Sequence, residues 1–368
     1  MQPSEIKESN GAELVATPSH YDMPNISEAQ VYNHVRQLLN DHEKMLVDSE
    51  RNRAFYQALA QRVTPDSVVL DIGAGFGVWA ITAARLGAKK VVAVESNELL
   101  IGVIKKIARE CGVADRVQPV FGYSTQLALE REFDIVVSET IGFDGFDEAI
   151  VQVMSDARAR FLKPDGVLIP ETLSLHCAPA HFKPSTNQMP TGMPLDFPYF
   201  EALNLHAPVR QLKKSDVQLL GKSKRLIEAD LYQAAEPFDL KCMRRTWQFP
   251  RDGARTKNAL APMNAINCFV VWVESRLSAG VGLSTRKTTS WTPVIYRFEN
   301  QQQNIDKVEF SLGFTDASAD WSVGVTGEHG LVSRLYSAKT AAKQILLDLA
   351  QSGEPISLAG KALARFIL

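Results

Sequence analysis

Val69-Leu70-Asp71-Ile72-Gly73-Ala74-Gly75-Phe76-Gly77 is the stretch that decides the fold. Apolar residues around one acid run straight into glycines at alternate positions, the pattern of a buried strand turning tightly into a helix. Glycine is needed where a backbone turns that sharply against a ligand, because a Cβ would collide with it. The dinucleotide fingerprint G-x-G-x-x-G requires a further glycine at position 78, and Val78 stands there. Asp71, at the strand end, would repel a pyrophosphate and suits a ligand with an ammonium and a sulfonium instead. Glu95 closes the next apolar run, Val91-Val92-Ala93-Val94-Glu95. A carboxylate there can accept both hydroxyls of a ribose. Ammonium, sulfonium and ribose together point to S-adenosylmethionine as the cofactor, with Gly73 and Gly75 lining its loop.

Strand-like and helix-like segments alternate outward from this loop. Val68–Ile72, Lys90–Val94, Val117–Phe121 and Phe133–Ser138 read as strands, with helices through Ala84 and from about Asn97 to Cys111. Phe146, Ile150, Val153, Met154, Ala157 and Phe161 mark the buried face of a further helix, and Lys163-Pro164-Asp165-Gly166 reads as a turn into Val167–Ile169. Short connections and strict alternation predict a parallel sheet with helices on both faces. Upstream, helical spacing from about Ser27 to Val63 puts Met45, Leu46, Ala54, Phe55, Ala58 and Leu59 on one side. After Pro170 the pattern changes to an irregular stretch over residues 183–221 and then short strands: Phe269–Val273, Val294–Phe298, Val308–Phe314 and Trp321–Val325. Ala338–Leu349 returns to helix. The expected fold is α/β, a Rossmann-like parallel sheet domain followed by a β-rich, barrel-like domain. Its parts are a flexible tail over 1–26, a cofactor domain over 27–170 and a β-rich substrate domain over 171–368 with a C-terminal helical extension.

The chain has 368 residues, 45% hydrophobic and 22% charged, with a formal net charge of −2. No global field draws it to nucleic acid or an anionic membrane. The first thirty residues lack the apolar core of a signal peptide, and no stretch reaches the roughly 18 apolar residues of a membrane span. Cys111, Cys177, Cys242 and Cys268 are far apart, and neither they nor the seven histidines show the spacing of a metal site. The expectation is a cytoplasmic protein without metal, nucleic-acid or membrane partners.

Phe133-Asp134-Ile135-Val136-Val137-Ser138-Glu139, with Glu148 nine positions after Glu139, resembles the double-glutamate loop of the protein arginine methyltransferases. Ala159-Arg160-Phe161-Leu162-Lys163-Pro164-Asp165-Gly166-Val167-Leu168-Ile169-Pro170 is similar to the segment that follows that loop. His42-Glu43-Lys44-Met45-Leu46-Val47-Asp48, with Arg51, resembles the helix that caps the cofactor. The resemblance runs from about Tyr32 to Val325. It implies that Arg51 pairs with the methionine carboxylate and that His42 and Met45 line the pocket. It further implies that Glu95 holds the ribose and that Tyr123 and Ser124 lie beside the cofactor. Glu139 and Glu148 are then the catalytic pair. A guanidinium is a poor nucleophile because its lone pairs are delocalised; two carboxylates can grip its N–H groups, gather positive charge on one side and aim the other nitrogen at a methyl group. Acids early in a helix are also ordinary caps, and Asp144, Asp147 and Glu148 are expected near the start of the next helix.

Thr289-Ser290-Trp291 resembles the family's Thr-His-Trp loop, which implies that Ser290 and Trp291 shape the acceptor channel, although a lone tryptophan in a β-domain is commonly core. Ser290 replaces the usual histidine, which puts a His–Asp relay through Asp48 in doubt. Thr140, Ile150, Thr125 and Arg36 also depart from the family pattern. Residues about 190–225 stand where the family has its dimerisation arm but are short and divergent; the resemblance implies a homodimer. The expected activity is methyl transfer to a guanidinium of a protein arginine, of free arginine or of a small guanidino compound. A non-guanidino metabolite as acceptor, or a catalytically weak scaffold, are the alternatives.

Overall fold

The structure is a computed structural model that describes residues 28–142, 144–183, 198–210, 213–234, 238–249, 265–302, 304–314 and 319–351. The expected tail over 1–26, parts of the arm-like stretch and everything beyond 351 lie outside the described residues. The chain divides into two compact units, Met1–Glu43 and Lys44–Leu368. The described part of the first is helix α1 (Glu28–Leu46), whose last turn belongs to the second. Within the first unit Arg36 donates to Asn33 Oδ1 at 3.1 Å, and His42 Nδ1 lies 2.8 Å from the Leu38 carbonyl oxygen.

The helical spacing expected over 27–63 forms two helices. Asp48 leaves helical geometry (φ −75°, ψ 92°) and caps α2 (Ser49–Arg62), its side chain accepting the Arg51 N–H at 3.1 Å. Ala54, Phe55, Ala58 and Leu59 are buried on α2 as expected, but Leu46 is 47% exposed.

From α2 the chain alternates through β1 (Val68–Ile72), α3 (Val78–Arg85), β2 (Lys90–Glu95), α4 (Glu98–Glu110), β3 (Val117–Phe121), β4 (Phe133–Ser138), α5 (Ile150–Arg160) and β5 (Leu162–Ile169). These strands form one parallel sheet in the order β3-β2-β1-β4-β5. β1 and β4 are buried almost throughout, which is why each reads as a mainly apolar run, interrupted by one acid. The order reverses at β1, and a parallel sheet binds its ligands in the crevice opened there, at the carboxyl ends of the strands. Register brings the acids to that edge: Ile72 pairs with Val94 on one side and with Ser138 on the other. Lys163-Pro164-Asp165-Gly166 is not a separate turn but lies within β5. The β4–β5 register shifts between Phe133 and Ile135 to absorb it, with Lys163 Nζ held by Asp134 Oδ1 at 2.7 Å.

Beyond Pro170 come β6 (Thr172–Phe182), α6 (Pro198–Asn204), β7 (Val217–Leu219), β8 (Lys224–Asp230), β9 (Met243–Gln248), β10 (Cys268–Ser278), β11 (Val281–Ser284), β12 (Val294–Arg297), β13 (Lys307–Phe314), β14 (Ala319–Gly327), β15 (Gly330–Ser337) and α7 (Ala338–Gln351). They build two antiparallel sheets, one on the path β11-β10-β6-β7 with β8 and β12 alongside, the other in the order β15-β14-β13-β9. An aromatic core lies within this barrel-like, β-rich domain: Phe269 stacks on Phe310 at 4.4 Å between ring centres, and Tyr296 meets Trp321 edge-on at 5.1 Å. No helix among the described residues is long and apolar enough to cross a membrane.

Tyr296 also ties this core to the loop after β4. Its hydroxyl donates to Asp144 Oδ1 at 2.6 Å, while Arg210 Nη2 donates to Oδ2 at 2.7 Å. Burial, ahead of the Asp144 charge, pushes the Tyr296 hydroxyl well above its usual pKa, so it remains a donor at any working pH. Tyr296→Phe should therefore lower the unfolding free energy by about 1.5–3 kcal/mol, the worth of a bond to a buried charge, read as an earlier urea midpoint.

Candidate active site

The loop after β1 uses its glycines for geometry. Gly73 (φ 71°) and Gly77 (φ 77°) are left-handed, and a Cβ there would sit 2.7 Å from Thr140 Cγ2 and 2.9 Å from Ile104 Cγ2 respectively. The amides of Gly73 and Ala74 both donate to the Val94 carbonyl at 3.0 Å, bending the loop over the end of β2. Glu95 organises it further: Oε2 accepts the Gly75 N–H at 2.7 Å and Oε1 the Asn97 N–H at 2.8 Å. Each oxygen has a second lone-pair direction, so the carboxylate that shapes the loop can still accept hydroxyls. Its loop-building part was not foreseen from the sequence, where only the acid at the strand end showed.

Asp71 is fully buried, with Oδ2 accepting the Ala80 N–H at 2.8 Å and Oδ1 reached by no donor among the described residues. Burial, reinforced by the Glu95 and Glu139 charges and opposed by the Ala80 amide, pushes its carboxyl up to about 7. A buried acceptor without a donor is costly, and it fits a site whose missing partner is a cation.

Arg51 lies at the centre of the site. Both Nε (2.9 Å) and Nη2 donate to Glu139 Oε2, and Nη1 donates to Asn52 Oδ1 at 2.8 Å. Its guanidinium carbon lies 5.1 Å from the Trp79 ring centre and 5.4 Å from that of Trp291, and Met45 Sδ is 3.9 Å from Nη2. The sequence marked Arg51 for a carboxylate of the cofactor, yet in the structure its carboxylate partner is Glu139. Burial raises the Glu139 carboxyl above its ordinary range, with the Arg51 charge pulling against it. Trp79 was missed: on the first turn of α3 it reads as core, and at 4% exposure it is core while also covering a cation.

Asp48 holds the two halves of this arrangement together. Besides capping α2, its Oδ2 accepts the backbone N–H groups of Thr289 and Ser290, both at 2.8 Å, and the Ser290 hydroxyl at 2.6 Å. These donors hold the carboxyl below its usual range although burial pushes the other way. The departure from the family's histidine thus leaves a serine that donates to Asp48 and gives no relay. Trp291, two residues from Thr289, is 5% exposed and lies against Arg51. Trp291 thus belongs to the core as well as covering that arginine.

Asp144, Asp147 and Glu148 lie near the start of the next helix, in the loop before it: α5 begins at Ile150 behind a left-handed Ala149 (φ 57°). Glu148 keeps an open side to solvent while protein crowds the others. That crowding, then the Glu139 and Asp147 charges, pushes its carboxyl up to about 7. Tyr123 is 45% exposed, and Ser124 is buried with its carbonyl accepting Arg160 Nη2 at 2.7 Å. His42 belongs to the first unit and the remaining site residues to the second.

Residues 53–171 match the family described as ribosomal protein L11 methyltransferase (PrmA). Over 252 residues the chain is 31% identical to the arginine N(omega)-methyltransferase of Streptomyces achromogenes subsp. streptozoticus, covering 66% of each chain. It is 34% identical over 151 residues to the protein arginine N-methyltransferase PRMT10 of Oryza sativa subsp. japonica, covering 40% of each. The matched stretch thus spans about two thirds of the first relative and well under half of the second. Among solved structures, the Trypanosoma brucei PRMT1 enzyme-prozyme heterotetrameric complex with AdoHcy superposes with a TM-score of 0.65 at 20% identity, covering 80% of this chain and 96% of that one. Arabidopsis thaliana protein arginine methyltransferase 10 gives 0.63 at 18% identity, covering 80% and 96%. A doubly wound parallel sheet, the antiparallel β-rich domain that follows it and these relatives together place the chain among the arginine N-methyltransferases of class I, as a divergent, PRMT-like member.

Proposed function

We propose that the protein transfers a methyl group from S-adenosylmethionine to a nitrogen of a guanidinium. The observation that carries this reading is at the carboxyl end of β4: Glu139 already binds one guanidinium, that of Arg51, and Glu148 follows it in the β4–α5 loop. When bound, the cofactor supplies an electrophilic methyl on a sulfonium. Asp71 Oδ1, the buried acceptor without a donor, would take the ammonium, Glu95 the ribose hydroxyls and Arg51 the carboxylate, with Met45, Tyr123 and Ser124 around them.

Glu139 and Glu148 clamp the acceptor. Charge-assisted bonds from its N–H groups localise positive charge at the gripped nitrogens and leave the remaining nitrogen to attack. Asp48 positions rather than reacts: by fixing both the α2 cap and the Thr289–Ser290 turn, it sets where Arg51 and Trp291 stand. With no histidine at position 290, the proton of the methylated guanidinium leaves through the carboxylates or to water. Protein arginine and free arginine share this chemistry. Pairing with a second copy through residues about 190–225 and a cytoplasmic location complete the reading.

Incubation with labelled cofactor and either free arginine or an arginine-containing peptide should label one of them, and the product should fragment as a methylguanidine. Glu139→Gln and Glu148→Gln should each lower kcat by about 10²–10³, the cost of losing one preorganised charge partner, while S-adenosylhomocysteine still binds. Unchanged labelling in both variants, or label on a non-guanidino acceptor alone, refutes the clamp.

The carboxyls raised to about 7 predict the pH dependence. A guanidinium stays charged throughout, so it binds Glu148 only once that group ionises, and kcat/KM for the acceptor should climb from pH 6 to 8 and then level. Stability of the protein alone should move the opposite way. A raised carboxyl favours the folded state most below the unfolded pKa, near 4, and loses that contribution as pH rises through about 7. Thermal melts across that window should therefore show a falling midpoint while activity rises.

A further inference from the structure

A groove of about 1100 Å³ lies apart from the crevice of the parallel sheet, between α2 and the β10–β11 hairpin with the turn that follows it. Its apolar floor includes Ala54, Val270 and Leu283. Hydroxyls of the 284–292 stretch line its side, and among the described residues no aromatic side chain contributes to the lining. Around it stand four cations, Arg53, Lys213, Arg286 and Lys287, against two carboxylates, Glu50 and Glu274. Both carboxylates are engaged: Glu50 pairs with Arg53 at 2.6 Å, and Glu274 accepts Trp272 Nε1 at 3.0 Å with His176 at 3.6 Å. Among the described residues no carboxylate lies within ion-pair distance of Lys213, Arg286 or Lys287, and Arg286 lies over the Trp272 ring at 5.1 Å. The groove therefore carries a positive excess beside an apolar floor, on a chain whose net charge is negative.

We propose that this groove is a docking site for an acidic polypeptide segment, separate from the acceptor site. Three properties select that occupant. The volume exceeds what a small metabolite fills and suits several residues of an extended chain. Unpaired cations above an apolar floor match carboxylates alternating with small aliphatic side chains, whereas a guanidinium-rich segment would be repelled. A single-stranded nucleic acid would find positive charge but no ring to stack on, and base stacking provides much of the affinity in such sites. The groove also adjoins the site: Thr289, in its wall, donates its N–H to Asp48, and Glu50 and Arg53 flank Arg51 on α2. A docked acidic segment would thus lie against the same turn and helix that hold Arg51 and Trp291.

The test is fluorescence anisotropy of the full chain, saturated with S-adenosylhomocysteine, with a labelled decapeptide of alternating glutamate and leucine. The matching lysine–leucine peptide, a ten-nucleotide oligothymidine and vesicles containing phosphatidylserine serve as comparisons. The acidic peptide should bind best, more weakly as salt rises. A Lys213→Glu/Lys287→Glu variant should weaken it by about tenfold or more, and Lys106→Glu, an exposed charge on α4, should not change it. Both reversed lysines are exposed, so folding should be retained, checked by unaltered S-adenosylhomocysteine affinity. Equal loss in Lys106→Glu, no loss in the double variant, or tighter binding of the lysine peptide, the oligonucleotide or the vesicles overturns the proposal.

Discussion

Burying carboxylates with too few cations is the constraint on which this site depends. Asp71, Glu95 and Glu139 come to one edge of the sheet because the register of β1 with β2 and β4 leaves them no other place. One buried arginine stands among them, bonded to Glu139 and covered by two tryptophans. Isolated buried charge is expensive, so such groups either neutralise or wait for partners. Asp71 shows the first response in its raised pKa and the second in its donorless Oδ1. A cationic cofactor and a cationic acceptor are the two ligands that relieve this arrangement together.

The scaffold around that cluster is correspondingly over-determined. Asp48 accepts from the α2 backbone and from a turn more than two hundred residues away, so one carboxylate sets both walls beside Arg51. Asp144 does the same for the β4–α5 loop, held by Tyr296 and Arg210 from the β-rich part of the chain. Both are buried acids with their oxygens satisfied, so they add rigidity rather than reactivity. Asp71, by contrast, keeps one buried oxygen that no donor reaches among the described residues.

How much of this could be read beforehand follows from where the information lies along the chain. β1, β3 and β4 were recognisable to the residue because local apolar runs and turns specify them. Asp71 and Glu95 were recognisable because they interrupt those runs at the same end. β5 was misread because Lys-Pro-Asp-Gly has the chemistry of a turn, and only pairing with β4 keeps it in a strand. β6 went unseen because Pro179 and two histidines break its apolar pattern, although β10 pairs along most of its length. The Arg51–Glu139 pair and the Asp48 junction could not be seen at all, since each joins residues whose local sequence carries no sign of the other.

The most direct measurement is the number of protons exchanged when S-adenosylhomocysteine binds at pH 7, from calorimetry in buffers of different ionisation enthalpy. Its ammonium should lower the pKa of Asp71, so binding should release protons, and Asp71→Asn should remove the release. Proton uptake on binding, or a release that persists in Asp71→Asn, would contradict a site built on a buried carboxyl waiting for a cation.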